Sequence, residues 1–83
     1  MMVSPLHIVS LARSYSAATE LPIVTISSRI FDDSKKISAM EAGADITLRR
    51  YNMALAWFAD NWPEDAVWPE EVARPAVPEK GAA

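Results

Sequence analysis

The stretch "IVTISSRIFDDSKKISAMEAG", residues 23–43, decides the fold. It begins with nine residues whose apolar side chains recur at helical spacing. Two aspartates and a serine follow, which favour a turn, and a second helical pattern then runs to a glycine stop. The apolar positions define one inward side of each segment: Ile23, Ile26 and Ile30 in the first, and Ile37 and Met40 in the second. The sequence therefore predicts two short helices around a tight polar connection.

A β-strand is the alternative for the first of these segments. Its β-branched residues suit a strand, and "IVTIS", residues 23–27, alternates briefly between apolar and polar side chains. No other segment of the chain offers a partner strand, and a strand without a partner is not stable. We therefore interpret residues 23–31 as a helix.

A cap residue and prolines predict the start and the end of a first helix. Ser4 and Pro5 open a first helix, and the proline of "TELP", residues 19–22, ends it. The apolar residues of this helix recur at steps of three and four: Ile8, Leu11, Ala12, Tyr15 and Ala18.

The third and fourth helices begin at aspartate or threonine caps. Asp32 or Asp33 caps the third helix, over about residues 34–42, and Asp45 or Thr47 caps the fourth. The fourth helix has the strongest periodicity, with apolar side chains at Leu48, Tyr51, Leu55, Phe58 and Trp62. The predicted fold class is all-α: a small four- to five-helix bundle with a helix-turn-helix and a Pro-rich acidic C-terminal tail.

We predict a boundary at the end of the fourth helix, between a helix-turn-helix domain of residues 1–62 and an acidic Pro-rich tail of residues 63–83. The net charge of −3 is distributed unevenly. Residues 1–59 hold six basic side chains against five acidic ones, whereas residues 60–83 hold two against six. The whole-chain charge is therefore a poor guide to what the first part of the chain binds.

The tail repeats a Trp-Pro unit at a spacing of six residues, in "WPEDAVWPEE", residues 62–71. Two copies of a dipeptide are too few to indicate a repeat architecture. We expect Trp62, Val67 and Trp68 to dock on the core, because exposed tryptophans are unusual. Beyond about Pro75 we expect disorder.

Composition excludes several classes of function. The chain has no cysteine and one histidine, His7, which gives no metal cluster. Two glycines make no phosphate-binding loop, and no nucleophile motif or placed acid–base pair is present. We expect no enzyme activity, no catalytic residue, no metal and no cofactor. The N-terminus has neither a signal peptide nor a membrane span, so we expect a cytoplasmic protein without membrane contact.

The spacing of residues 23–40 fits a helix-turn-helix unit, in which a second helix enters the major groove of DNA. Counted from Ile23, the fourth, eighth, fifteenth and eighteenth positions are apolar, and the fifth, where the helices touch, is small. These positions are Ile26, Ile30, Ile37, Met40 and Ser27. The pattern resembles that of phage-repressor-like (lambda-repressor-like) DNA-binding domains.

The resemblance covers about residues 6–58, and "AGADITLRRYNMALAWF", residues 42–58, is similar to the family's glycine-then-helix continuation. Two positions depart from the family pattern. Phe31 stands at the ninth position, usually glycine, and Asp32 at the tenth, usually apolar. We therefore expect a turn that is longer than the family's or shaped differently.

The resemblance implies a small sequence-specific transcriptional regulator that binds double-stranded DNA as a homodimer. Arg29, Arg49 and Arg50 are then phosphate contacts, which set register and salt dependence. The positions implied to face DNA from the third helix are Asp33, Ser34, Lys35, Ser38 and Ala39, with Lys36 beside them.

Interpretations that do not involve DNA remain open for the same residues. The lysines also fit a solvated surface, the arginine pair fits salt bridges with Asp45 or the tail, and the isoleucines fit an ordinary helical hairpin. The alternative function is a small acidic protein-interaction module, a phage accessory protein or inhibitor, that binds a protein partner through its Trp-Pro tail and does not bind DNA. If the chain pairs, the Trp-Pro tail and the outer face of the fourth helix are the expected dimer surface.

Overall fold

A computed structural model describes residues 4–70 and residue 72. This part of the chain forms four α-helices and no strand. The helices are α1 (Pro5–Thr19), α2 (Ile23–Phe31), α3 (Lys36–Glu41) and α4 (Leu48–Asn61). The all-α prediction is confirmed, and the strand alternative for residues 23–27 is wrong. None of these helices combines the length and the apolar character that a membrane crossing requires.

Helix α1 packs one apolar side into the core and ends where predicted. Pro5 occupies its first turn, and Glu20 ends it in the left-handed region with φ 62°. Of the five predicted apolar positions, Ala18 is exposed, because it lies in the last turn beyond the packed part of the helix. The others are buried together with Val9.

Helices α2 and α3 contribute their predicted apolar residues to one core: Ile26, Ile30, Ile37 and Met40 are all buried. Ser27 is fully buried among them. Its hydroxyl donates to the Asp33 carbonyl oxygen at 2.5 Å and accepts the backbone N–H of Ile37 at 3.1 Å. The small residue at the fifth position thus joins α2, the connection and the first turn of α3.

The connection begins where predicted, after residue 31, and ends two residues later than predicted. Asp32, with φ 56°, adopts the left-handed conformation that ends α2, and Phe31 is the buried last residue of that helix. The Asp33 carboxylate then accepts the N–H of Lys35 at 2.9 Å. This side chain–backbone turn holds residues 33–35 out of the helix, so α3 begins at Lys36 rather than near residue 34.

Thr47, and not Asp45, caps α4, and its hydroxyl accepts the N–H of Arg50 at 3.2 Å. The predicted stripe of α4 faces the core at its centre and C-terminal end, where Tyr51, Phe58 and Trp62 are buried and Leu55 is half-buried. Leu48, in the first turn of α4, is 50% exposed and does not join the buried stripe.

The Trp-Pro unit forms the same local turn twice. The indole N–H of Trp62 donates to the carbonyl of Ala66 at 2.9 Å, and that of Trp68 donates to the carbonyl of Val72 at 2.7 Å. In each turn the residue four places after tryptophan also donates its N–H to the proline carbonyl, at 3.2 Å. The six-residue repeat therefore corresponds to two consecutive turns with the same hydrogen bonds, although two copies of a dipeptide are too few for a repeat architecture.

These two turns pack on the core through their tryptophans. The ring centroids of Trp62 and Trp68 lie 4.8 Å apart, and Val72 is buried in the same core. Val67 lies between the turns and is 83% exposed, so the prediction that it docks is wrong. Its neighbours Ala66 and Trp68 take the inward positions instead. The region beyond Pro75, for which disorder was predicted, lies outside the described residues.

The single histidine joins α1 to α4. Its Nδ1 atom lies 3.0 Å from the hydroxyl oxygen of Tyr51, and the Tyr51 ring is buried. Burial disfavours the tyrosinate and raises the pKa of Tyr51 above its ordinary value near 10. His7 is therefore a structural contact between helices.

Replacing Ser27 by alanine should destabilise the fold by about 1–3 kcal/mol, because the Ile37 N–H and the Asp33 carbonyl would no longer have a hydroxyl partner at a buried site. Ser28→Ala is the matched control, since Ser28 is exposed one residue later on the same helix. Urea unfolding followed by circular dichroism measures both variants. Equal midpoints for the two would contradict the role given to Ser27.

Stability should fall as the pH rises above about 10. The folded state binds the Tyr51 proton more tightly than the unfolded state does, so this contribution is complete below the unfolded pKa and is lost through the folded pKa. Tyr51→Phe should reduce the alkaline loss. Thermal unfolding of both proteins between neutral and alkaline pH measures the difference, and parallel curves would show that another group causes the loss.

Candidate nucleic-acid interface

The residues expected to face DNA from the third helix lie on the surface. Asp33, Ser34, Lys35, Ser38 and Ala39 are exposed, and Lys36 is half-buried. Because α3 begins at Lys36, the first three belong to the connection, and only Ser38 and Ala39 lie on the exposed side of α3. The surface is therefore a turn followed by a short helix, and not a long helical face.

The side chains of the two adjacent lysines lie in different environments. Lys36 directs its Nζ atom to the carbonyl oxygen of Asp45 at 3.4 Å, in the loop that precedes α4. Lys35 is exposed; its backbone N–H donates to the Asp33 carboxylate and its carbonyl oxygen accepts the N–H of Ala39. Lys36 thus carries positive charge from the start of α3 toward the start of α4, while the Lys35 ammonium extends into solvent.

Three arginines line one open cleft of about 750 Å³ between the C-terminal end of α2 and the N-terminal end of α4. Arg29 comes from α2, and Arg49 and Arg50 come from the first turn of α4. The other lining residues are Ser28, Ile30, Phe31, Asp32, Thr47 and Met53. All three arginines are exposed, so their guanidinium groups are available to an anion.

Within the described part of the chain, no acidic side chain forms an ion pair with the arginines of this cleft. Within residues 4–70, the three arginines form no ion pair, and Asp32 is the one acidic residue among the lining side chains. Across the same range the ion pair that forms joins Arg13 on α1 to Glu41 on α3. The alternative in which the arginine pair forms a salt bridge with Asp45 is therefore not realised.

The acidic turns lie at the other end of α4. That helix has 14 residues, so its two ends are about 20 Å apart. Glu64, Asp65 and Glu70 follow its C-terminal end and are exposed. Charges at the two ends of the helix are therefore about two Debye lengths apart at physiological salt, and they interact weakly.

The sequence predicted each of these arginines as a phosphate contact, but it did not predict that the three line one cleft. Arg29 and Arg49 are 20 positions apart, and no spacing rule connects the end of one helix to the start of another. The start of α4 is also an unfavourable place for arginine next to the helix dipole, so the pair there is not explained by helix stability. The cleft combines these three charges with the half-exposed thioether side chain of Met53.

No group of histidine, cysteine, aspartate and glutamate that could hold a metal ion occurs among residues 4–70 and 72. Comparison of the chain with protein families, with characterised proteins and with solved structures found no match. The function of the chain is therefore inferred from its own residues.

Proposed function

We propose that the chain is a small sequence-specific DNA-binding regulator. The observation that carries this proposal is the cleft of three exposed arginines, formed where α2 ends and α4 begins, in which no arginine is ion-paired with another residue of the described range 4–70. Guanidinium groups bind phosphate oxygens in a bidentate way, and duplex DNA presents a regular row of phosphates. The exposed connection contributes Asp32 to the lining of this cleft. Lys36, at the start of α3, directs its Nζ atom to the Asp45 carbonyl in the loop before α4.

The proposed contacts divide by chemistry. Arg29, Arg49 and Arg50 bind the phosphate backbone and fix the position of the chain on the duplex. Near the groove, Lys35 donates to guanine, Ser34 and Ser38 donate or accept at base edges, and Ala39 offers a methyl group to thymine. The Asp33 carboxylate, already turned toward the Lys35 N–H, accepts from cytosine with its second oxygen.

The connection gives these contacts a fixed geometry. Ser27 holds both the Asp33 carbonyl and the Ile37 N–H from below, and the Asp33 carboxylate holds the Lys35 N–H from outside. A short helix fixed at its start loses less conformational entropy when it binds. As part of the same proposal, the protein works in the cytoplasm and binds a two-fold DNA site as a homodimer.

A protein-interaction role is the second candidate, and the tandem Trp-Pro turns favour it. Each turn is closed by an indole hydrogen bond and presents exposed carboxylates, at Glu64 and Asp65 in the first and Glu70 in the second. Val67 is exposed between them. Rigid acidic turns around an apolar side chain suit a basic protein surface better than DNA.

The arginine contacts predict a specific salt dependence. Fluorescence anisotropy of a labelled duplex of mixed sequence should show binding at micromolar protein that weakens as salt rises. The double variant Arg49→Ala and Arg50→Ala should bind less tightly and reduce the log–log salt slope by about two, roughly one for each phosphate group that is no longer bound. Arg13→Ala, on α1 and paired with Glu41, is the control and should keep the slope. Absence of salt-sensitive binding by the unmodified chain would overturn the DNA proposal.

Neutralising the acidic residues of the two turns distinguishes the DNA-binding role from the protein-interaction role better than deleting the tail does. Deleting the tail would also remove Trp68 and Val72 from the core. The triple variant Glu64→Gln, Asp65→Asn and Glu70→Gln keeps both turns and removes three negative charges. On the DNA proposal its affinity for DNA at low salt should rise several-fold, because long-range repulsion decreases. Affinity that stays equal or falls would favour the interaction role.

Selection of bound duplexes from random DNA tests the remaining part of the proposal, sequence specificity. A recovered motif with two-fold symmetry would support both readout through the connection and binding as a pair. Recovery of unrelated sequences would limit the function to backbone binding by the arginine cleft.

A further inference from the structure

The arginine cleft has an apolar wall for which phosphate contacts provide no use. Ile30, Phe31 and Met53 line it together with the three arginines. Its volume of about 750 Å³ lies within the range of about 300–1,000 Å³ that is usual for small-molecule sites. The cleft therefore has the size and the mixed lining of a site for a small anion that also carries an apolar group.

The apolar wall combines fixed and adaptable side chains. Ile30 and Phe31 are each 8% exposed and belong to the core, so their positions are fixed by packing. Met53 is 45% exposed, and its unbranched thioether side chain can adjust to a ligand. Sulfur makes favourable contacts with aromatic rings, and arginine guanidinium groups stack on them. This part of the cleft is therefore suited to a flat aromatic ring.

The charge of the cleft favours a ligand with several negative charges close together. Three arginines and one aspartate, Asp32, leave a net charge of +2 among the lining side chains. Within residues 4–70 none of the three arginines forms an ion pair, so a ligand displaces no carboxylate from them. The N-terminal end of the 14-residue helix α4 adds unpaired backbone N–H groups and the positive end of the helix dipole. A chain of linked phosphate groups matches these features.

Two hydroxyl groups complete the lining. Ser28 and Thr47 both line the cleft and are exposed. The Thr47 hydroxyl oxygen accepts the N–H of Arg50, which leaves its own O–H group available as a donor. Hydroxyl groups at this place suit the hydroxyl groups of a sugar.

We propose that the arginine cleft binds a nucleoside polyphosphate, with the phosphates on Arg29, Arg49 and Arg50 and the base against Met53 and the apolar wall. The sequence has no glycine-rich loop, so side chains and the start of α4 hold the phosphates in place of a backbone cradle. Binding of the nucleotide goes beyond the proposed function and does not require DNA.

One consequence rests on the proposed function. The three arginines that hold the nucleotide are also the proposed contacts to the DNA backbone, so nucleotide and DNA compete for the same guanidinium groups. The nucleotide then regulates DNA binding by mass action, and a rise in its concentration releases the protein from DNA.

Calorimetric titration without DNA tests the nucleotide site directly. The probes are adenosine triphosphate, inorganic tripolyphosphate and adenosine, in a buffer free of divalent cations. Adenosine triphosphate should bind about tenfold more tightly than tripolyphosphate, because its base adds stacking contacts at similar phosphate charge. Adenosine, which lacks the phosphates, should bind more weakly than adenosine triphosphate. Equal affinities for adenosine triphosphate and tripolyphosphate, or no binding of adenosine triphosphate, would overturn the proposal.

Variants separate the two parts of the site. Met53→Ala should lower the affinity for adenosine triphosphate several-fold and leave that for tripolyphosphate unchanged. Leu48→Ala is the matched control, since Leu48 is a half-exposed apolar residue of the same helix outside the cleft lining. An equal loss of adenosine triphosphate affinity in the two variants would contradict the position given to the base.

The arginines are tested in the same titrations. The double variant Arg49→Ala and Arg50→Ala should weaken binding of both phosphate ligands at least about tenfold, because two charge-assisted contacts are lost. Arg13→Ala, which removes the arginine paired with Glu41 on another surface, should bind both as the unmodified chain does. Unchanged binding by the double variant would place the phosphates elsewhere and overturn the proposal.

Competition on DNA tests the regulatory consequence separately. Adenosine triphosphate at about ten times its dissociation constant should raise the apparent dissociation constant of a labelled duplex about tenfold, with ionic strength held constant by sodium chloride. Adenosine at the same concentration is the control and should have no effect. A duplex that stays bound to the nucleotide-loaded chain would overturn the competition. The calorimetric result is independent of DNA, so absence of DNA binding would reject the proposed function and leave the nucleotide site standing.

Discussion

The hydroxyl of Ser27 is the point on which the α2–α3 region depends. It is fully buried, donates to the Asp33 carbonyl and accepts the Ile37 N–H. Helix α3 has six residues, too few to be stable alone, and its N-cap residue, Lys35, supplies no side-chain cap. The cap comes instead from α2, ten positions earlier in the chain than Ile37. A larger side chain at this place would separate the helices, and one without a hydroxyl would leave two buried backbone groups unsatisfied.

Charge in this chain is arranged along α4. The N-terminal end carries two arginines, which are unfavourable next to the positive end of the helix dipole. They line a cleft with Arg29, and none of the three forms an ion pair within residues 4–70. The C-terminal end leads into two acidic turns held closed by tryptophan. The N-terminal end of α4 is therefore suited to bind polyanions, and the C-terminal end is suited to bind cations. The DNA proposal uses the first of these two ends.

The sequence by itself determined the helical class and the inward residues. Apolar spacing of three and four predicted the helix over residues 23–31, and the absence of any partner strand excluded the alternative. The same spacing placed Ile37 and Met40 in the core, and the small size of Ser27 indicated where two helices touch. These features could be predicted because they arise from local periodicity and side-chain volume. For the candidate site, the sequence named the exposed charged residues individually.

Tertiary structure alone decided how those residues combine. The turn is set by Asp32 in the left-handed conformation and by the Asp33 carboxylate, so α3 starts two residues later than a cap rule predicts. The repeated tryptophans close turns through hydrogen bonds that expose Val67, although hydrophobicity predicted its burial. The arginine cleft joins helix ends 20 residues apart. Periodicity reports which side of an element faces inward, but it carries no information on which ends of different elements meet, because that depends on packing distances across the whole core.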